Sequence, residues 1–369
     1  MQLDTLIIGS PKGRPAHHFK NLEDLALDFG SGRGVTALVG ESGTGKSSIL
    51  EALAVIFRDL MRGSPEPAFA YRLAYRMGVG PRGHLVRIDA DPDRDNPYRI
   101  TACDAPAAQD EPADPAGGAP LTLAEVLAAS ATLLPRRVIG YSPGASSQSG
   151  EMRGHESDGE RQKRAVLDAL RQAADGESLI LLDGPDSHLH PQDRRILAAK
   201  LTAFAGAGGT VRAPGHIVVA THEPITVGGL RREQVRILRR EGQRTVVDMP
   251  DEHPQGMGVT GLLKSELFGL SSTLDIETER RLLRRNALFV KQPRSPEEGA
   301  ELARLSAELA DLGFSSADFR DPMYALFARK MAERRQFCQP ALTPEQRAEQ
   351  DRIASEIIDE VLREGAASM

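Results

Sequence analysis

The chain has 369 residues, of which 40% are apolar and 27% are charged, and its formal net charge is −6. These values are ordinary for a globular protein of one or two domains and exclude a polycation, so contact with nucleic acid needs a local basic patch or a partner. The two cysteines, Cys103 and Cys338, form no CxxC pair, which suits a reducing cytosol. No stretch approaches the roughly 20 apolar residues of a membrane helix, and the N-terminal segment lacks the pattern of a signal peptide. We therefore expect a cytoplasmic protein without membrane contact.

The first third of the chain predicts two kinds of strand. The expected strands are 3–8, 25–29, 35–39, 69–77, 85–88 and 98–101. Residues 35–39 are apolar and β-branched, as in a buried parallel strand, and a helix is expected from Ser47 to about Leu60. Residues 69–77 alternate, which is typical of a half-buried strand and predicts an antiparallel lobe. Residues 103–120 are rich in Pro, Ala, Gly and acids and predict an exposed, flexible loop.

The remainder alternates between helix and strand before it becomes helical. We expect helices at about 123–134, 159–174 and 192–204, strands at 137–141, 179–183 and 217–220, and a hairpin at 235–239 and 245–248. Ser295-Pro296 and Thr343-Pro344, each followed by glutamate, are helix starts. The expected fold class is α/β, with a mixed sheet and an antiparallel lobe in residues 1–255 and an all-helical region in 256–369.

The strongest motif follows the strand at 35–39. The run from Gly40 to Ser47 matches GxxxxGK[ST] and opens a helix, which is the context a P-loop requires. Glycines let backbone N–H groups converge on phosphate oxygens, Lys46 reaches the β- and γ-phosphates, and Ser47 binds Mg²⁺. The sequence therefore predicts ATP and Mg²⁺ as cofactors; the alternative is a chance glycine turn. The predicted nucleotide contacts are Gly40, Ser42, Gly43, Thr44, Gly45, Lys46, Ser47 and Ser48.

A second motif ends the apolar strand at 179–183 with a carboxylate. Asp183 is the expected Mg²⁺ partner of Ser47, because P-loop proteins place one acid at the end of a buried strand near the metal. The alternative is an aspartate in an ordinary turn.

Two other groups of residues could be read as metal sites. His188 and His190 are spaced like metal ligands, but we favour a structural role in which they shape the loop of this motif. The acidic run 89–95 has Arg94 where a Ca²⁺ loop needs glycine, so a solvated hairpin is favoured there.

Three further motifs carry a resemblance to a known class. Ser157-Asp158-Gly159-Glu160 at a helix start resembles the signature motif of ABC-type ATPases, and Ala220-Thr221-His222 resembles their switch-histidine loop. The run from Asp183 to Pro191 is similar to the DEPExHLHP run of the SMC/RecF/OLD-like branch. The resemblance covers about residues 1–250 and implies a P-loop ABC-type ATPase head. It also implies a head-to-tail dimer or higher oligomer in which Ser157 and Gly159 contact nucleotide bound to a second copy, while His222 senses the γ-phosphate.

The alternatives for these residues remain open: Ser157 as a plain helix N-cap, and His222 as a strand-end histidine bonded to the backbone. The sequence also departs from the class. Gly184 stands where its catalytic glutamate polarises water, and glycine has no group that accepts a proton. Asp186, two residues later, is the candidate substitute. Gln148 is the one candidate for the Q-loop glutamine, and the long coiled-coil arms of SMC proteins are absent.

The segment from Gly261 to Asp275 resembles the corresponding segment of ATPases from bacterial anti-phage systems, in particular Septu, where a separate HNH nuclease accompanies the ATPase. The resemblance implies a nucleotide-controlled switch for a partner nuclease, with DNA or RNA contacted through the complex and hydrolysis weak because of Gly184. The alternatives are a RecF-like repair ATPase that binds DNA directly and the nucleotide-binding subunit of a transporter.

Overall fold

The computed structural model divides the chain into two compact units, Met1–Leu262 and Leu263–Met369. It describes residues 1–9, 18–30, 34–78, 83–104, 118–142, 158–173, 177–206, 215–242, 244–291, 293–314 and 348–358. Four sequence predictions lie outside these ranges: Ser157, Gln148, Cys338 and the helix start at Thr343. Within the described ranges, no helix is long and apolar enough to cross a membrane.

The first unit contains a mixed sheet with five parallel strands. The strand order is β12-β11-β3-β10-β9-β8, and only β12, which pairs with β11 in a hairpin, is antiparallel. The bounds are β3 Val35–Gly40, β8 Arg137–Tyr141, β9 Ser178–Asp183, β10 His216–Ala220, β11 Val235–Glu241 and β12 Arg244–Asp248. Every residue of β10 is buried, and β3 and β9 are buried except at their last residues, as expected for parallel strands covered on both faces. The carboxyl ends of β3, β9 and β10 therefore meet at one edge.

A second, antiparallel sheet has the order β2-β1-β4-β5-β6-β7. Its strands are β1 Gln2–Ile8, β2 Leu25–Asp28, β4 Tyr71–Met77, β5 His84–Ala90, β6 Tyr98–Asp104 and β7 Ala119–Leu121. Buried and less buried residues alternate along β4, with Tyr71, Leu73, Tyr75 and Met77 turned to the core. The predicted combination of a mixed sheet and an antiparallel lobe is confirmed.

Helix α1, Lys46–Arg62, joins the two sheets through a shared hydrophobic core. Its apolar residues recur every three to four positions, so Ile49, Leu53 and Phe57 lie on one buried face. Burial of each such side chain contributes about 1.5 to 3 kcal/mol. The helix ends at Gly63, whose left-handed backbone lets its N–H bond to the carbonyls of Asp59 and Leu60. The first turn of α1 is thereby fixed at the sheet edge where the parallel strands end.

The other helices of this unit are short or lie beside the mixed sheet. They are α2 Leu123–Ala128, α3 Ser130–Leu133, α4 Asp158–Ala173, α5 Pro191–Gly206, α6 Pro224–Val227 and α7 Gly258–Lys264, the last of which crosses into the second unit. Helix α4 packs on β8 and β9 through Val166 and Ala169. A capping box at Thr122 and Glu125 starts α2.

Three sequence predictions need correction. The loop predicted at 103–120 is strand at both described ends, because Cys103 and Asp104 complete β6 and β7 pairs with it at Ala102↔Ala119 and Ile100↔Leu121. Pro120 is compatible with β7 because this strand lies at the sheet edge. The helix predicted at 123–134 is interrupted at Ala129, whose backbone leaves the helical region. Helix α6 was not predicted; it begins with Pro224 after Glu223, whose carboxylate accepts from the Ile225 N–H.

The regular structure described in the second unit is helical, and a non-helical segment, 265–275, precedes α8. Helix α8, Ile276–Val290, starts at an Asp275 cap, and α9, Pro296–Asp311, starts at the predicted Ser295 with Pro296 in its first turn. The two helices pack together, and Arg284 forms a bidentate pair with Glu301 at 2.9 and 2.7 Å. Residues 348–358 are also helical, with Ile353 and Ile357 buried.

Candidate nucleotide-binding site

The loop between β3 and α1 depends on glycine at two positions. A Cβ atom on Gly40 would lie 2.3 Å from the Leu238 carbonyl oxygen of β11, so the loop leaves the sheet at a point where no side chain fits. Gly45, the N-cap of α1, has φ 101°, and a Cβ there would lie 2.6 Å from Leu22. Glycine adopts such left-handed conformations without steric strain. The loop therefore brings its backbone close to the open N-terminus of α1, where partial positive charge favours an anion.

The Lys46 side chain folds back onto the P-loop that precedes it. Its ammonium donates to the carbonyls of Gly40 and Glu41, both at 2.8 Å. Burial lowers the pKa of Lys46, and the nearby Asp183 carboxylate opposes that shift. The side chain is thus held at the mouth of the loop, where phosphate oxygens can replace the two carbonyls as acceptors.

Ser47 and Asp183 meet across the sheet edge, although 136 residues separate them in the sequence. The Ser47 hydroxyl donates to the Asp183 carboxylate at 3.0 Å. A hydroxyl and a carboxylate oxygen are the hard ligands that Mg²⁺ prefers, and Mg²⁺ takes only one or two protein ligands when phosphates and water supply the rest. The pair therefore fits the metal that the sequence predicts.

These groups line one cleft of about 350 Å³. Of the predicted site residues, it brings together Ser42, Gly43, Gly45, Lys46, Ser47, Ser48, Asp183 and His222. His222 is exposed and follows β10, so the structure places it beside the P-loop. Thr44 lies beneath the loop, where its hydroxyl donates to the Glu41 carbonyl and its own carbonyl accepts from Thr245.

Comparison with known proteins agrees with this geometry. Residues 16–70, which include β2, β3 and all of α1, match the AAA domain family. The matched residues include the P-loop from Gly40 to Ser47, so this similarity falls on the predicted nucleotide site. A stretch of 126 residues is 30% identical to Septu protein PtuA from Bacillus mycoides (strain KBAB4). That stretch is 34% of this chain and spans only 16% of the relative.

Solved structures similar to this chain include two SMC heads. An SMC head bound to the C-terminal winged-helix domain of ScpA aligns with a TM-score of 0.43 and 12% identity over 67% of this chain and 97% of that one. The SMC head domain from Thermotoga maritima aligns with a TM-score of 0.42 and 17% identity over 68% of this chain and 99% of that one.

Gly184 stands where the resemblance leads one to expect a catalytic glutamate, and its backbone conformation is one that favours glycine. Its φ is 51°, in the left-handed region that L side chains rarely adopt. Its N–H donates to the Ala220 carbonyl at 2.9 Å, and its carbonyl accepts from the side chains of Gln162 and Ser187 at 3.0 and 2.9 Å. The loop after β9 is therefore folded tightly around a glycine, and the cleft has no side chain at this point.

Asp186, the candidate substitute base, is not brought to the cleft. It is 1% exposed, and its Oδ2 accepts from the Thr221 hydroxyl at 2.6 Å, while Oδ1 has no hydrogen-bond partner in the described part of the chain. Thr221 in turn accepts from the Glu223 N–H, and Glu223 pairs with Arg194 at 2.5 Å. This arrangement fastens the loop after β9 to the loop that carries His222.

The two histidines of the HLHP run have different surroundings. His190 caps α5, because its carbonyl accepts from Asp193 N–H and its Nδ1 accepts from Gln192 N–H at 3.3 Å. His188 is exposed, and its N–H donates to Gln162. No group of three potential metal-binding side chains occurs among the residues that the structure describes.

The signature motif is described only in part. Ser157 lies outside the described residues, and Gly159 is in the first turn of α4. The structure places the start of this helix but leaves the predicted contact of Ser157 and Gly159 with a second copy as a prediction.

Three functional candidates were missed from the sequence. Asn21 lines the cleft, where its amide donates to the Gly43 carbonyl at 3.1 Å and accepts from Ser48 at 2.6 Å. Ser187 also lines the cleft, and Gln162 binds the loop beneath it. Ser187 was within reach of sequence reasoning because it belongs to the Asp183 run. Asn21 belongs to no motif, and Gln162 ends the signature-like run 157–162 without a predicted role. Their contacts could not be predicted, since their partners lie 22 to 27 residues away.

Proposed function

We propose that this protein is an ATP-binding switch subunit that controls a partner nuclease in bacterial anti-phage defence, and that it hydrolyses ATP slowly. The observation that carries the proposal is the combination of a complete phosphate and Mg²⁺ site with Gly184 at the position of the catalytic glutamate. Such a site binds nucleotide but lacks the group that activates water.

Binding follows from the side chains in the cleft. Lys46 exchanges its two carbonyl acceptors for β- and γ-phosphate oxygens, and the N–H groups at the start of α1 bind the same phosphates. When bound, Mg²⁺ neutralises charge on the phosphates. Ser47 and Asp183 would hold it, and they already lie 3.0 Å apart.

Turnover is limited by the same cleft. Asp183 is the only carboxylate among its described lining residues, and it is engaged with Ser47. Asp186 is buried and bonded to Thr221, so it is badly placed to orient water. His222 lines the cleft and remains the proposed γ-phosphate sensor.

Self-association and partner control are the less direct parts of the proposal. Glycine in the first turn of α4 leaves the start of this helix open to an anion, which suits a head-to-tail arrangement in which Ser157 and Gly159 close on ATP bound to a second copy. The likeness to Septu protein PtuA supports a role in defence. We propose a separate nuclease subunit of HNH type as the partner, which is what the resemblance of the segment from Gly261 to Asp275 implies. We place this assembly in the cytoplasm and propose that DNA or RNA is contacted through the complex.

The alternative, a RecF-like ATPase that binds DNA directly, would need a basic surface. The sequence offers arginine clusters at 231–232, 239–240, 280–281 and 284–285, and they do not favour this alternative. Arginines of these clusters pair with acidic neighbours: Arg232 with Glu233, Arg239 with Asp248, Arg281 with Glu277 and Arg284 with Glu301. Phosphate contacts would have to displace these carboxylates. The isolated protein should therefore show little salt-dependent DNA binding.

Sedimentation of the full chain with and without Mg²⁺-ATP tests the switch. We expect ATP to convert the protein to a dimer or larger assembly and to change its co-purification with a co-expressed nuclease of the proposed type. Lys46→Ala should abolish both effects, whereas Lys200→Ala, an exposed change on α5, should preserve them. The proposal would be contradicted if neither the assembly state nor the association with the nuclease changed on addition of ATP. Tight DNA binding by the isolated protein would favour the RecF-like alternative.

A further inference from the structure

Gln162 links the start of α4 to the loop that follows Asp183. Its side chain is 4% exposed. Its amide nitrogen donates to the Gly184 carbonyl at 3.0 Å, and its amide oxygen accepts from the His188 N–H at 3.2 Å. One side chain therefore holds both ends of the segment 184–188.

The chemistry of these two contacts selects an amide. A backbone carbonyl requires a donor and a backbone N–H requires an acceptor, and a glutamine side chain presents both from one planar group. Because both partners are backbone atoms, the nitrogen and oxygen of Gln162 have only one satisfactory orientation. A buried amide with both groups paired is worth more than its exposed equivalent, because loss of either partner leaves a desolvated polar atom.

The segment that Gln162 holds is directly attached to the proposed Mg²⁺ ligand. Asp183 precedes Gly184, and the Gly184 N–H is itself bonded to the Ala220 carbonyl at the end of β10. Ser187 lines the cleft and donates to the Gly184 carbonyl as well. A shift of Asp183 on binding Mg²⁺-ATP would act directly on this segment, because Gly184, whose carbonyl Gln162 binds, is the next residue.

Gln162 lies one turn into α4, three residues after Gly159. A second polar contact of this helix, Lys163 with Asp193 at 2.5 Å, leads to α5 and away from the cleft. Gln162 therefore connects the first turns of α4 directly to the segment that follows Asp183.

We propose that Gln162 is a positioning residue that couples nucleotide occupancy of a protomer's own cleft to the first turns of its own α4. ATP bound in the cleft orders the segment 184–188, and the two hydrogen bonds of Gln162 to this segment then order the start of α4. The inference rests on the proposed function, in which that helix start closes on the nucleotide of a second copy. Each protomer would then present a competent α4 only when its own site is filled.

Hydrogen exchange of the full chain with and without Mg²⁺-ATP tests the coupling, at a protein concentration where sedimentation shows a single copy. In the wild-type protein, ATP should slow exchange in α1, in residues 184–188 and in the first turns of α4. The effect in α4 should be about tenfold, on the order of one to two hydrogen bonds. In Gln162→Met, which has a similar volume and no amide, the slowing in α4 should fall below about twofold while α1 stays protected.

Two further variants distinguish coupling by Gln162 from a general destabilisation of α4. Arg171→Met removes an ion pair with Asp168 at the exposed end of the same helix and should retain the full ATP effect in α4. Gln162→Asn keeps an amide but is one methylene shorter, so it should lose the coupling while it keeps a polar group at the site.

The outcomes separate this inference from the proposed function. If ATP did not slow hydrogen exchange in α1 of the wild-type protein, the proposed function itself would be overturned. Protection of α1 without any effect on α4 in the wild-type protein, or equal α4 protection in wild type and Gln162→Met, would overturn the coupling while ATP binding stands.

Discussion

Strand β10 places two histidines at opposite ends of the parallel strands with opposite roles. His216, at the amino end, is fully buried; its Nδ1 accepts from the Leu3 N–H at 2.9 Å and its Nε2 lies 3.0 Å from the Thr36 hydroxyl. His222, just past the carboxyl end, is exposed in the cleft. Since Nδ1 accepts, the neutral ring carries its proton on Nε2 and donates to Thr36. One end of the strand joins the two sheets, and the other leaves side chains open for chemistry.

The amino ends of the parallel strands thus contribute mainly to stability, and their carboxyl ends form the proposed nucleotide site. The amino end is closed by the antiparallel sheet, because β1 supplies the Leu3 N–H that His216 accepts. The carboxyl end is completed by loops: the P-loop, the segment 184–188 and the segment that carries Thr221 and His222. Changes at the two ends should therefore affect different measurements.

The largest effect is expected at the carboxyl end from Lys46→Ala. Loss of the ammonium removes charge-assisted hydrogen bonds to phosphate, so the Kd for ATP should rise about 100-fold or more, with little change in thermal stability. Calorimetric titration with Mg²⁺-ATP measures this, with Lys200→Ala as the control. If Lys46→Ala bound ATP as tightly as the wild-type protein, the cleft would not be the ATP-binding site.

An intermediate effect is expected at the amino end on acidification. Burial lowers the pKa of His216 to about 3, whereas an unfolded histidine titrates near 6.5. Below pH 6.5 the unfolded chain binds a proton that the folded protein does not accept, so stability falls as the pH decreases from about 6.5 towards 3. The loss attributable to this ring should be about 2 kcal/mol between pH 7 and pH 5.

Urea denaturation of wild type and His216→Gln at pH 7 and pH 5 isolates this contribution, because other titrating groups affect both proteins alike. The wild-type protein should lose more stability on acidification than the variant. Equal losses in both would show that His216 is not the buried neutral group that the structure indicates.

A smaller effect, on stability, is expected at the carboxyl end from Thr221→Val. The change leaves the buried Asp186 carboxylate without its hydroxyl donor, so the free energy of unfolding should fall by about 1.5 kcal/mol. Thr132→Val, at an exposed position, should change it by less than about 0.5 kcal/mol. Unchanged stability in Thr221→Val would mean that the loops after β9 and β10 are not fastened through this pair.

The sequence was most informative where signals are local. The P-loop glycines, the apolar strands before Gly40 and Asp183, and the cap at Ser295 follow from neighbouring residues alone, and the structure shows each of these elements. The resemblance that names the class was also carried by short motifs with fixed order.

The sequence was least informative where a contact spans the fold. Asn21, Gln162 and His216 act through partners 22 to 213 residues away, and no periodicity or spacing indicates such pairs. The burial of Asp186 was likewise hidden, because its side chain turns to Thr221 on the neighbouring loop. Strand β7 was missed since its pairing with β6, not its proline-containing sequence, makes it a strand.

The central claim is that this site binds Mg²⁺-ATP but lacks the base that would hydrolyse it rapidly. Gly184→Glu and Gly184→Gln test it as a matched pair, since both place a side chain of the same size on the left-handed backbone at Gly184 and share its strain of about 1 to 2 kcal/mol. Only the glutamate accepts a proton. Steady-state ATP hydrolysis should be slow in wild type and in Gly184→Gln, and about 100-fold faster in Gly184→Glu. Rapid hydrolysis by the wild-type protein, with no gain in Gly184→Glu over Gly184→Gln, would contradict the account.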